Sequence, residues 1–507
     1  MKKYFLLVMM AIFAISCSKK VEVKGKITGG SPLERIEFIE ASGVATLPLT
    51  NIGVKPDGTF AGSFEAPKNG MYVMSYAGRE TMIYLKKGQT AEITATAAKF
   101  PEDLKVIGDA KANNDFLTQT NKFLQTYSQK MNIQASMAKD EAGFVKDIKK
   151  IQTDLEKNID ETATKTNADK EVVTWKKNDI HSGILTILPQ YEMTKKQAST
   201  NPSFKMSKVF TDYEKSLQEN KEELVKNHPI YRSYLLGTMT EDFQKYAMSK
   251  SQGKTDITTS EMFASFIKDK KELSQSAKDY LLAFVMAQSD IRPDSSKETS
   301  EKITKIIDTD IKDATVKKDL KRIQFVVNGL KKGETAPDAA LVTADGKAFK
   351  IAEGSKPKVI VNYASWTPYI KESTVPIMKQ IVDFYKSKMD FVFVNLDDTK
   401  EQFAKTSKVM FAGIPGTNVY AEGGLNSDYA DKYGIYGFKL APSYLILDKD
   451  GKIAGRTFFN PGEQEFVALL DQLSGLKAPQ VAPEATLQND LLAPSTEQAP
   501  PPPPAAK

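Results

Sequence analysis

Lys358-Val-Ile-Val-Asn-Tyr363, followed at once by Ala364-Ser-Trp-Thr-Pro-Tyr-Ile370, is a short apolar run that stops at a turn. A run of this length, rich in β-branched residues, reads as a strand buried on both faces. Outward from it, strand and helix signals alternate. Pro376 to Tyr385 carries a helical stripe of Met378, Ile381, Val382 and Tyr385, and Asp390-Phe-Val-Phe-Val-Asn395 is a second buried strand. Ser443 to Asp448, the turn Lys449-Asp450-Gly451 and Lys452 to Arg456 make a hairpin, with a helix from Pro461 to Leu473 after it. This pattern predicts a mixed α/β sheet with helices on its faces, over residues 333–475. Lys331 to Pro337 reads as the entrance to that domain. Residues 477–507, rich in Pro, Ala and Gln and ending in Pro500 to Pro504, read as a disordered tail that cannot bury enough surface to fold.

Two further regions precede this one. Residues 21–100 alternate: Val21, Val23 and Ile27, then Ile36 and Phe38, suit half-buried strands, and Lys55-Pro-Asp-Gly58 is a strong turn signal. Strands at this spacing predict a small β-sandwich. Over residues 110–330 the period changes. Phe144, Ile148, Ile151, Leu155 and Ile159 recur at helical spacing, as do Phe116, Thr120, Phe123, Tyr127 and Met131. Without a clear internal repeat, a helical bundle is expected rather than a solenoid. The fold class is therefore multidomain: an N-terminal β-sandwich, a central α-helical region and a C-terminal α/β domain. A length of 507 residues accommodates roughly three such units.

The 70 basic and 64 acidic residues are interspersed, which argues against nucleic acid as a partner. The chain holds one cysteine, Cys17, so no disulfide can form within it. Cys17 ends the most apolar stretch. Lys2 and Lys3 form a basic start, Tyr4 to Ile15 an apolar segment too short to span a bilayer, and Ala14-Ile-Ser-Cys17 a cleavage site. Residues 1–16 are thus expected to be a signal peptide. The site resembles a lipobox, which implies that Cys17 carries acyl chains such as palmitate and anchors the protein in a lipid bilayer. Ser18-Lys19-Lys20 carries no acidic retention signal, so the expected location is the outer membrane, facing the periplasm.

Several stretches of the last domain together resemble the envelope thioredoxin family of the TlpA and ResA type. They are Gly333-Glu-Thr-Ala-Pro-Asp338, Val361-Asn-Tyr-Ala-Ser-Trp-Thr-Pro368, Ala421 to Gly437, and Tyr444-Leu-Ile-Leu-Asp-Lys-Asp-Gly-Lys-Ile453. The resemblance implies a thioredoxin-like fold, and it looks like the members in which an N-terminal sandwich with a helical insert precedes that domain. In this family a tryptophan precedes Cys-x-x-Cys at a helix N-terminus, where the dipole helps form a thiolate. Here Trp366 is followed by Thr367, Pro368, Tyr369 and Ile370. In an ungapped register Thr367 stands for the attacking cysteine and Ile370 for the resolving one; a deletion beside Tyr369 would instead bring in Lys371 and Glu372. Neither register contains sulfur, so dithiol exchange is excluded in this domain. The resemblance also places the cis-proline loop at Ala441-Pro442. Trp366, Tyr369 and Tyr436 would then border an aromatic, peptide-binding face.

Other chemistry finds little footing. His181 and His228 are the only histidines, and both read as capping or packed residues of the helical region. No metal-ligand spacing, phosphate loop or nucleophile elbow occurs, and neither a cofactor nor a catalytic residue is assigned. The expected function is a non-catalytic envelope lipoprotein that binds or scaffolds a protein or peptide. The alternative is an oxidoreductase-family enzyme that acts in the periplasm with a partner's thiols.

Overall fold

Alternation of inward apolar and outward polar residues builds the N-terminal region from strands. In this computed structural model, which describes residues 20–44, 47–201, 203–250, 257–292, 295–368, 370–436, 444–458 and 461–478, the first strand already shows it. Val21, Val23 and Ile27 of β1 (Lys20–Thr28) are buried between exposed lysines and glutamates. The strands β2 (Arg35–Glu40), β3 (Thr50–Gly53), β4 (Thr59–Glu65), β5 (Gly70–Tyr76), β6 (Arg79–Leu85), β7 (Thr90–Thr96) and β8 (Lys105–Gly108) follow. They form two four-stranded sheets, ordered β4-β1-β7-β8 and β3-β2-β5-β6, and β3 lies at an edge. Side chains from both sheets, including Val23, Phe64 and Ile93 on one and Phe38, Tyr72 and Ile83 on the other, share one buried cluster. Gly58, at a φ of 82°, closes the Lys55–Gly58 turn, and Asp57 accepts hydrogen bonds from the Thr59 N–H and hydroxyl. The β-region runs to Gly108, past the expected limit of 100. Its last strand carries no alternating signal, since only Val106 in it is buried.

Helices fill the middle of the chain: α1 (Lys111–Ser128), α2 (Ile133–Met137), α3 (Glu141–Thr166), α4 (Lys170–Ala198), α5 (Lys208–Ser216), α6 (Lys221–Asn227), α7 (Pro229–Lys250), α8 (Thr259–Lys268), α9 (Gln275–Ser289), α10 (Lys297–Thr309) and α11 (Ala314–Asn328). Phe144, Ile148, Leu155 and Ile159 of α3 face one large cluster, whose members run from Met71 to Leu320. Side-chain caps mark several helix starts. Asp313 accepts from the N–H groups of Thr315 and Val316, and Thr258 forms a reciprocal box with Glu261.

The C-terminal region contains β9 (Leu341–Thr343), β10 (Ala348–Phe349), β11 (Lys358–Tyr363), α12 (Val375–Tyr385), β12 (Asp390–Asn395), α13 (Lys400–Val409), β13 (Thr417–Tyr420), α14 (Asp428–Tyr433), β14 (Tyr444–Leu447), β15 (Ile453–Phe458) and α15 (Gln464–Ser474). Its seven-stranded sheet is ordered β10-β9-β13-β12-β11-β14-β15. The strands β11, β12 and β13 run parallel, and β14 pairs antiparallel with β11. All of β11 is buried. Ile360, Val392 and Val394 point into one core, and Val359, Val361, Phe391 and Phe393 into another on the opposite face. Burial on both faces is why these strands read as continuous apolar runs. The stretch read as an entrance is bonded to the β14–β15 hairpin by an isolated bridge: the Gly333 N–H donates to Ile453 O, the Ala336 N–H to Gly451 O, and the Ile453 N–H to Glu334 O.

Candidate functional site

The turn after β11 is held by its own side chains. The Thr367 hydroxyl donates to Ala364 O at 2.7 Å and accepts from the Ala364 N–H at 3.1 Å. The Thr367 N–H donates to the same carbonyl, and the Ile370 N–H donates to Thr367 O. Thr367 is only 1% exposed, so its oxygen faces the turn and not solvent. Ile370 packs into the core with Met378 and Val382, and Ile370–Thr374 winds as a π-helical turn that runs into α12, near whose start Pro376 stands. Pro368 is exposed. The structure therefore gives the two thiol positions of the ungapped register to a closed hydroxyl and a core aliphatic.

Behind the turn, the loop after β12 supplies its support. Asp397, fully buried, accepts from the Ser365 N–H at 2.7 Å and from Asn395 Nδ2 at 2.9 Å, while its own N–H donates to Asn395 Oδ1. Tyr363 donates its hydroxyl to Asn418 Oδ1 at 2.9 Å. Burial raises the pKa of that phenol, and the nearby Asp397 charge adds to the effect.

Trp366 is half-buried against the core that contains Ile360 and Leu425. Over its ring lies the guanidinium of Arg35, with the central carbon 4.7 Å from the ring centroid. Arg35 also binds Asp398 with two bonds, Nη1 to Oδ2 at 2.9 Å and Nη2 to Oδ1 at 2.5 Å. Nothing in the local sequence around Arg35 signalled this contact, since the partners lie 363 positions apart.

Tyr436, expected to border the same face as Trp366, has its partners in Arg322 and Asp431. Its ring packs under Arg322 of α11, 4.7 Å from the guanidinium carbon, and its hydroxyl accepts from Arg322 Nε at 3.0 Å and donates to Asp431. Tyr436 thus joins the helical region to the C-terminal domain. Cys17, the signal segment, Tyr369, Ala441, Pro442 and residues from 479 onward lie outside the described residues.

Both histidines sit in the helical region. His181 Nε2 lies 2.7 Å from Glu156 Oε1, and His228 is buried and stacked on Trp175 at 5.2 Å. Among the described residues no cluster of His, Cys, Asp and Glu is placed to hold a metal ion, and no helix is long and apolar enough to cross a membrane. A cavity of about 520 Å³ opens between α8, α9 and α10 and mixes charges of both signs, among them Glu261, Lys268, Lys278 and Asp310.

Comparison with known proteins bears on the last domain only. Residues 331–465 match the Redoxin family model. No curated protein matches the chain. Among solved structures, the C-terminal domain of a protein described as a thiol-disulfide oxidoreductase from Bacteroides thetaiotaomicron is 25% identical; the match covers 29% of this chain and 97% of that one, with a TM-score of 0.25. A thiol-disulfide oxidoreductase from Bacteroides fragilis is 21% identical over 25% of this chain and 93% of its own, with a TM-score of 0.23. A thiol:disulfide interchange protein from a Bacteroides species is 15% identical over 29% and 91%, with a TM-score of 0.24. The multidomain chain, β-rich at its N-terminal side and helical in its middle, thus carries a thioredoxin-like domain of the Redoxin type at its C-terminal side.

Proposed function

We propose that the protein is an envelope lipoprotein, anchored through Cys17 in the outer membrane and facing the periplasm, whose TlpA-type domain is redox-inactive and serves to bind or scaffold a protein or peptide. In this reading the two N-terminal four-stranded sheets are the two layers of a sandwich. One observation carries the reading. Where exchange needs a thiolate, the turn offers the Thr367 hydroxyl, already bonded to both the N–H and the C=O of Ala364. An alcohol so placed has no low pKa and forms no mixed disulfide. The chain's one sulfhydryl residue is Cys17, assigned here to the lipid. A binding role needs no such group, and the exposed Pro368 and Met193 offer surface on the turn and on the helical region respectively.

The test has two arms in intact cells. Cys17→Ala should shift the protein from the membrane to the soluble fraction and abolish labelling by a fatty-acid probe; membrane association unchanged in that variant contradicts the anchor. Photoreactive residues in place of Pro368 and Met193 should each be tried for crosslinking. A discrete adduct with an envelope protein at either position supports the scaffold, and absence of adducts at both positions contradicts it.

A further inference from the structure

The second N-terminal sheet ends at β3, and an edge strand presents outward N–H and C=O groups that need a cover. Asn426 of the C-terminal domain supplies it. Its Oδ1 accepts from the Asn51 N–H at 3.1 Å and the Thr50 hydroxyl at 3.2 Å, and its Nδ2 donates to Asn51 O at 2.8 Å. A single carboxamide thus pairs with the β3 backbone as a neighbouring strand would.

From the adjacent strand β2, Arg35 reaches the same face. Its guanidinium is forked onto Asp398, stacked over Trp366, and further bonded to the Asn51 side chain and to Asn51 O. Only 8% of this side chain is exposed. Planar, bidentate and stacked at once, it uses the features that distinguish arginine from lysine. The backbone on each side is shaped for this approach. A Cβ on Gly53 would stand 2.2 Å from Asp398 Oδ2, and one on Gly424, where φ is +59°, would stand 2.6 Å from Leu396 O. In the β2–β3 register Arg35 lies opposite Gly53 and Glu37 opposite Asn51. The guanidinium and the paired backbone therefore come from two strands, which a single extended peptide does not reproduce.

We propose that the Trp366 face of the C-terminal domain is an intramolecular receptor for the β2–β3 edge, so that the chain itself occupies the turn and a partner reaches the Trp366 ring only by displacing Arg35. The joint ties the N-terminal β-region to the C-terminal domain and leaves the rim at Pro368 open.

Hydrogen exchange of the full chain tests this at one amide. The Asn51 N–H, bonded to Asn426, should exchange at least about ten times faster in both Arg35→Ala and Asn426→Ala, and Trp366 should become more readily oxidised by N-bromosuccinimide. Arg35→Lys should fall between, since it keeps the charge and loses the fork. The α3 amides of Phe144 and Ile148 should keep their wild-type protection, which marks the opening as local. If Arg35→Ala also exposes those amides, Asn426→Ala decides alone, because it removes only a surface carboxamide. Wild-type exchange at Asn51 in Asn426→Ala, with Trp366 no more reactive in either variant, would overturn the proposal.

Discussion

Thr367 closes the turn after β11 with its own side chain. Its hydroxyl bonds both polar groups of Ala364, a residue with no exposed surface. Thr367→Val keeps the shape and leaves the Ala364 N–H buried without that partner, so unfolding in urea should show a loss of about 1–3 kcal/mol. A loss below about 0.5 kcal/mol would mean that water replaces the hydroxyl. His228 makes a different residue-scale prediction. Burial lowers its pKa from 6.5 to about 4; Asp179 opposes the shift, while Arg232, Lys68 and His181 add to it. The folded value lies below the unfolded one, so the unfolded chain takes up the proton first. The stability contributed by neutral His228 is complete above pH 6.5, falls as pH drops from 6.5 towards 4, and levels off below that. Over that window the loss should reach about 3 kcal/mol. His228→Phe should remove that component, so the difference between wild type and variant isolates it from the carboxylates. A constant difference between pH 7.5 and 4 would refute it.

At the scale of elements, the turn and the strands around it were the most legible part of the chain. Buried strands in the middle of a sheet advertise themselves as apolar runs, and β11, β12 and β14 did so. Elements whose partners are remote did not. Read alone, Lys105–Gly108 has a single inward residue, and Gly333–Ala336 reads as a linker because its partner, the hairpin at Gly451–Ile453, lies more than a hundred positions away. The long helix α4 gave no single stripe, because both Lys176 and Asn178 are buried in it and Pro189 interrupts its interior. The turn makes an element-scale prediction. The Ile370 N–H donates to Thr367 O at 3.1 Å, and such a four-residue turn brings its end Cα atoms within about 7 Å. That separation lies near the upper range for a disulfide. In a Cys17→Ala background, the double substitution Thr367→Cys and Ile370→Cys should form an intramolecular disulfide under mild oxidant, seen as a loss of two mass units. Two free thiols after oxidation would show that the turn has been rebuilt. The variant should also be less stable than its parent, because Ile370 belongs to the core.

For the whole molecule, the contacts that matter most could not be read from the sequence at all. Arg35 and Asp398 lie in different regions, as do Arg322 and Tyr436, and no local pattern of charge or period announces either pair. Of the residues expected to border an aromatic face, Tyr436 packs against Arg322 of the helical region and Trp366 lies under Arg35. A double-mutant cycle on Arg35→Ala and Asp398→Ala should give a coupling of about 1–2 kcal/mol, above the usual surface ion pair because the guanidinium is buried and forked. Additive effects would show the pair to be incidental. The central proposal is that this Redoxin-type domain carries out no dithiol exchange. It is tested most directly by the rate at which dithiothreitol reduces a disulfide-bonded protein substrate, measured with and without the full chain. The rate should equal the protein-free rate at every chain concentration, in wild type and in Cys17→Ala alike; a rate that rises with chain concentration and persists in Cys17→Ala would contradict it.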